Sequence, residues 1–191
     1  MIIGGVIAAI VIAFVIAIVA GGSNDSASSD TTKVPNSDGT VSAGENQPVE
    51  VVGDVLEPLP ESGDDSTIGL MAPTLNGYAF DGSNLSVTPG DGNPYMVVFL
   101  AHWCPHCNRE IPVLNDWKAE GLVPPNLRIV GITTASKADQ ANWPPSKWMV
   151  AMKWSFDQFA DSEKQDAAVA YGVTGYPYLV FIDAKGNVTS R

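Results

Sequence analysis

Cys104 and Cys107 are the only two cysteines of the chain, and they stand two residues apart in Trp103-Cys104-Pro105-His106-Cys107. Thiols at that spacing can close on each other and reopen by exchange with another molecule's disulfide. The thiolate is the reacting form, and a free thiol with a pKa of ~8.5 is mostly protonated at neutral pH. The order of the motif assigns the roles. If a helix begins at Cys104, its unpaired N–H groups and positive dipole end favour an anion there, so Cys104 is expected to attack. Cys107, one turn further in, is expected to resolve the mixed disulfide. His106 is placed to add a donor or a positive charge beside the sulfur and so to shift the pair towards oxidising behaviour. Trp103 is read as a shield on one side of the dithiol, with core packing as its alternative.

His102 adds a fourth metal-ligating side chain, but all four lie within residues 102–107. A tetrahedral site usually draws on two separated segments, so no metal and no cofactor are expected, and His102 reads as a loop histidine.

These residues need a scaffold. Tyr95-Met96-Val97-Val98-Phe99-Leu100, just before the motif, has the length and continuous apolarity of a central strand covered on both faces. Residues 104–120 read as a helix with Ile111, Leu114 and Trp117 on one face and Pro112 as a kink. Residues 127–133 and Tyr178-Leu179-Val180-Phe181-Ile182 read as further strands, and 162–171 as a helix ended by Gly172. Residues 135–152 suggest a loop with one or two short helical pieces, and Val188 onward a strand pairing back as a hairpin. Alternation of this kind indicates an α/β layer fold.

The first 70 residues differ. Residues 2–20 are uncharged and apolar, long enough at ~1.5 Å each to cross a hydrocarbon core of ~30 Å, so residues 1–21 are read as a transmembrane anchor rather than a cleaved signal peptide. Residues 22–70 are rich in Ser, Asp, Gly, Thr and Pro without periodicity and are read as a disordered acidic tether. The charge is divided the same way. Residues 1–70 hold ten acids against Lys33 alone, whereas 71–191 hold eleven acids and nine bases, within a net charge of -11. No basic cluster exists to neutralise phosphates, which excludes nucleic acid as a partner.

Residues 71–191 resemble the thioredoxin superfamily, and within it the membrane-anchored, extracytoplasmic thiol-disulfide oxidoreductases of the TlpA/ResA type. The resemblance rests on Ala72-Pro73-Thr74-Leu75-Asn76-Gly77, on the strand and WCxxC unit of 96–107, on Pro112, and on Tyr171-Gly172-Val173-Thr174-Gly175-Tyr176-Pro177 before Phe181-Ile182-Asp183. It implies an α/β thioredoxin-like fold, a central mixed sheet flanked by helices. It also implies a cis Pro177 packed against the dithiol, and a backbone at Tyr176 that pairs with an extended client. Trp103, Pro105 and Tyr176 would then contact the client.

Two departures are visible. Val98 stands six residues before Cys104, where many thioredoxins carry a buried acid, and the final helix of the family has no counterpart before Arg191. The Pro105-His106 pair is similar to that of the oxidising DsbA-type enzymes.

The expected function is therefore disulfide exchange at a single-pass cell membrane, on the extracytoplasmic side, with secreted or membrane clients and a membrane redox partner, more on the oxidising side. A reductase for a dedicated client such as apocytochrome c is the alternative from the scaffold. A copper-holding metallochaperone is the alternative from another class. A peroxide reductase is a weaker choice, because a peroxidatic cysteine normally lacks a partner at this spacing.

Overall fold

The computed structural model describes residues 42–191. The expected membrane anchor, and the tether up to residue 41, lie outside the described residues.

The strand expected before the motif is β4, Tyr95–Leu100, and all six of its residues are buried. Its apolarity is continuous because both faces are covered. Tyr95, Val97 and Phe99 point to one core, and Met96, Val98 and Leu100 to the other. Among the described residues the sheet has eight strands. β1 is Glu50–Val52, β2 Thr74–Tyr78, β3 Asn84–Val87, β5 Arg128–Thr133, β6 Asp157–Ala160, β7 Tyr178–Ile182 and β8 Val188–Ser190. Their order is β1-β2-β6-β5-β4-β7-β8, and β3 pairs with β2 off this path. β5 lies parallel to β4 and to β6, and the other pairs are antiparallel, so the sheet is mixed.

Helix α1, Pro105–Ala119, packs Cys107, Ile111 and Leu114 against the Met96/Val98/Leu100 face, where Trp148 and Met149 of α2, Pro145–Ala151, join it. Residues 107, 111 and 114 follow the helical period, so one stripe carries both the resolving cysteine and the core contacts. Trp117 is partly buried on the same cluster, and Pro112 lies inside the helix as expected. On the other face, Ala167, Ala168 and Ala170 of α3, Asp166–Ala170, pack with Tyr171 against Phe99, Val130 and Val180.

The tether is corrected at its C-terminal part. Residues 42–70 belong to the fold. Val51 pairs with Leu75 across β1 and β2, and Leu56 is buried at 3% exposure. The Leu56 N–H donates to the Ala170 carbonyl at 2.9 Å, and Asp65 forms an ion pair with Arg191 at 2.6 Å. The Glu45 carboxylate accepts from both the N–H and the hydroxyl of Ser146, at 2.8 and 2.6 Å, supplying from a distant segment the cap that Pro144 cannot give α2. Periodicity is absent because Val49, Val51, Leu56 and Leu59 each fill a separate slot on the core rather than one face of an element.

The helix expected over 162–171 is shorter. Gln165 has φ 62, and helical geometry begins only at Asp166. Asp161 takes over the first turn, accepting the N–H groups of Ser162, Ala167 and Ala168.

Candidate active site

At the C-terminal end of β4 the chain turns through Ala101, His102 and Trp103 into α1. The Cys104 N–H donates to the Ala101 carbonyl at 2.9 Å, and Cys104 takes the extended N-cap conformation, φ −80 and ψ 119. Pro105 follows inside the first turn, exposed, where its missing N–H costs nothing. No side chain caps this helix, so the open N–H groups of the first turn are directed at the Cys104 end.

The two cysteines are free thiols in different surroundings. Cys104 keeps 5% exposure and Cys107 has none. Burial pushes the Cys107 thiol up to about 12, the backbone at Ala101 opposes this, and the neighbouring Cys104 sulfur adds to it. Cys104 Sγ donates to the Tyr176 carbonyl at 3.3 Å. The Tyr176–Pro177 peptide is cis. The Trp103 ring meets the Tyr176 ring edge-on at 5.8 Å, and its Nε1–H donates to the Ala135 carbonyl at 2.9 Å. Trp103, Cys104, Cys107 and Tyr176 thus come together, although two chain segments supply them, and Pro177 follows Tyr176 directly.

His106 is exposed, and its ring is hydrogen-bonded within its own helix. Its Nδ1 accepts from Arg109 Nη2 at 2.7 Å. Arginine has only donors, so the ring nitrogen is the acceptor in this contact. Arg109 supplies a fixed positive charge one turn into α1. Its place three residues after His106, on the same helix face, is the signal that sequence reasoning left unused.

His102 is not a ligand in waiting. It is fully buried, and both ring nitrogens are engaged. Nε2 accepts the Lys137 N–H at 3.1 Å, which leaves Nδ1 to donate to the Ala141 carbonyl at 2.6 Å. Among the described residues no cluster of three or more His, Cys, Asp or Glu side chains is placed to hold a metal.

Val98 is fully buried on the α1 side of the sheet, so no acid occupies that place. The chain has a buried acid elsewhere, just past the end of β6, where it faces α3. Asp161 has no exposure, and burial pushes its carboxyl up, opposed by the Thr134 hydroxyl and by the three N–H groups it accepts. Burial also pushes up the Tyr176 phenol, to which Asp161 and Cys107 both contribute. Asp161 is not legible as a buried acid in the sequence, because β6 is four residues long and begins with the polar pair Asp157-Gln158.

A two-cysteine helix N-terminus facing a cis-proline loop, on a mixed sheet with helices on both faces, defines a thioredoxin-like redox domain. Residues 68–191 match the model of the AhpC/TSA family, and the chain belongs to that family. It is 30% identical over 127 residues to the soluble secreted antigen MPT53 of Mycobacterium tuberculosis, covering 65% of each chain. It is 32% identical over 124 residues to the thiol:disulfide interchange protein DsbE of Pseudomonas fluorescens, covering 60% of this chain and 65% of that one. The chain thus spans just under two thirds of the length of these relatives. In structure it is similar to the thioredoxin domain of a thiol-disulfide oxidoreductase from Bacteroides vulgatus, with a TM-score of 0.53 at 22% identity over 64% of this chain and 86% of that one. That likeness gives the thioredoxin-like fold.

Proposed function

We propose that the protein is a thiol-disulfide oxidoreductase that exchanges disulfides with protein clients outside the cytoplasm. The observation that carries this reading is the asymmetry of the dithiol: Cys104 at the helix N-cap against the Tyr176 carbonyl, and Cys107 fully buried one turn deeper. In the reducing direction, Cys104 thiolate attacks one sulfur of a client disulfide, forming a mixed disulfide and releasing the client's other sulfur as thiolate. Cys107 then gives up its proton and attacks Cys104 Sγ. The protein disulfide forms, the second client thiolate leaves, and two electrons have passed to the client. Oxidation of a client is the reverse sequence.

A buried partner thiol two residues from the attacking one favours exchange over peroxide reduction within this family. The Pro105-His106 pair, similar to that of the oxidising DsbA-type enzymes, favours the oxidising direction. The resemblance of residues 72–77 to the TlpA/ResA type supports a reductase as the second reading. The secreted relative supports a place outside the cytoplasm, and residues 1–21 would anchor the domain to the membrane, where its redox partner would lie. Equilibration of the Cys104–Cys107 pair with glutathione redox buffers tests the direction. A potential towards the ~-120 mV of DsbA supports oxidation, and one near the ~-270 mV of thioredoxin overturns it in favour of reduction.

A further inference from the structure

Residues 171–178 carry the Tyr176 carbonyl that meets the Cys104 sulfur, and this loop is anchored by a residue that no step of the exchange touches. The Arg191 side chain is fully buried. Its Nε and Nη2 donate to the two carboxylate oxygens of Asp65 at 2.8 and 2.6 Å. Its Nη1 donates to the carbonyls of Glu57 at 2.9 Å and Tyr171 at 3.3 Å. One planar, forked guanidinium thus joins residues 57–65 to the first residue of the loop. The next residue meets the same segment. The Gly172 carbonyl accepts the Leu59 N–H at 3.3 Å, and Gly172 has φ 62, with the Glu57 carbonyl oxygen so near that a β-carbon would collide with it.

The residue that ends the loop lies within the electrostatic reach of the same ion pair. Burial pushes the Tyr178 phenol up, and Arg191 and Asp65 act on it in opposite directions. Its hydroxyl is buried without a hydrogen-bond partner among the described residues. Between these ends Thr174 and Gly175 are exposed. The Tyr176 side chain rests on the Trp103 ring and on Gln165 Oε1, but the direction of its carbonyl belongs to the backbone that Arg191 anchors.

That direction has a chemical use. While Cys104 is a thiol, its proton occupies the Tyr176 carbonyl. Once Cys104 is bonded to a client sulfur the proton is gone, and the carbonyl stands as an open acceptor beside the client's cysteine. A backbone N–H of the client satisfies it only if the loop keeps it in place.

We propose that Arg191 is a positioning residue for disulfide exchange: through its bonds to Asp65, Glu57 and Tyr171 it fixes the 171–178 loop, and so holds the Tyr176 carbonyl where a client backbone docks. The proposal rests on the oxidoreductase reading. It also gives the ordered segment over residues 57–65 a role in the reaction, as the wall against which the loop is set.

The test uses the reduced protein with two oxidants, dimethyl disulfide and a short blocked peptide whose single cysteine carries an S-methylthio group. Either oxidant takes two electrons. The Cys104–Cys107 disulfide forms, the two thiol protons pass to the departing sulfurs, and the products are two methanethiols or one methanethiol and one peptide thiol. Only the peptide offers backbone N–H groups. Arg191→Met keeps the length of the side chain without its donors, and it should lower the ratio of the peptide rate to the dimethyl disulfide rate about fivefold, on the scale of one hydrogen bond. Asp65→Asn should lower the ratio in the same direction. Arg191→Lys, which keeps the charge, should recover part of it. Partial unfolding lowers both rates together and leaves the ratio as it was, so the ratio separates positioning from a merely structural role.

An unchanged ratio in Arg191→Met overturns the proposal, whatever happens to the separate rates. If that variant does not fold, Asp65→Asn decides in its place, and an unchanged ratio there overturns the proposal. A wild type that reacts with neither oxidant nor with glutathione disulfide removes the oxidoreductase reading and the proposal with it. A wild type that reacts with both, alongside an unchanged ratio in the variants, leaves that reading standing and overturns the proposal alone.

Discussion

Closure of the disulfide should be limited by the proton on Cys107. Its thiol lies at about 12, chiefly through burial, five units above pH 7. Only about one molecule in 10⁵ then carries the Cys107 thiolate at neutral pH. Once Cys104 has formed a mixed disulfide, the contribution of its sulfur to that shift is removed, but the burial remains, so the Cys107 value should fall only partway towards its ordinary range. The closing step should therefore accelerate close to tenfold per unit between pH 6 and pH 9. Reduced protein mixed with excess glutathione disulfide in a stopped-flow instrument should show two phases in tryptophan fluorescence, since Trp103 borders the site. The second phase should carry the pH dependence and should be absent in Cys107→Ala. A closing rate that is flat between pH 7 and pH 9 would refute the reasoning, because Cys107 would then already be ionised or would transfer its proton to a group with a lower pKa.

Two further outcomes concern the scaffold. Leu56→Ala should cost about 2–5 kcal/mol in urea unfolding of the soluble domain, as for other buried leucines, whereas an effect below about 0.5 kcal/mol would place residues 42–70 outside the fold. The Arg191 guanidinium holds the Asp65 carboxyl down at about 2, against an ordinary value of 3.8. The stabilisation is present above pH 3.8 and is lost as pH falls through 2, so Asp65→Asn should remove about 1–2 kcal/mol at pH 7 and flatten that part of the acid-unfolding curve.

The parts of the site that are contiguous in sequence were legible there, and the parts assembled by backbone groups were not. Residues 103–107 announce a dithiol at a helix start because residue type and spacing alone set that chemistry. The six apolar residues of β4 announce a central strand for the same local reason. Pro177 and Tyr176 were placed only through resemblance, since Tyr176 stands 72 residues from the sulfur that its carbonyl meets. The role of His102 was hidden because its partners are the Ala141 carbonyl and the Lys137 N–H, groups that every residue carries. Asp161 was hidden by the shortness of β6, and the ordering of residues 42–70 by contacts that follow no period. The partner of His106, Arg109, was legible in principle, since it stands three residues further along the same helix face.

The most direct test of the central claim is a pair of single-cysteine variants treated with glutathione disulfide at neutral pH and read by mass spectrometry. Cys107→Ser should accumulate one glutathione adduct on Cys104, because the attacking thiol sits at the open helix end while nothing remains to release it. Cys104→Ser should stay unmodified, with its one thiol buried and protonated. Rapid modification of Cys107 in Cys104→Ser, or no adduct on Cys104 in Cys107→Ser, would contradict the account.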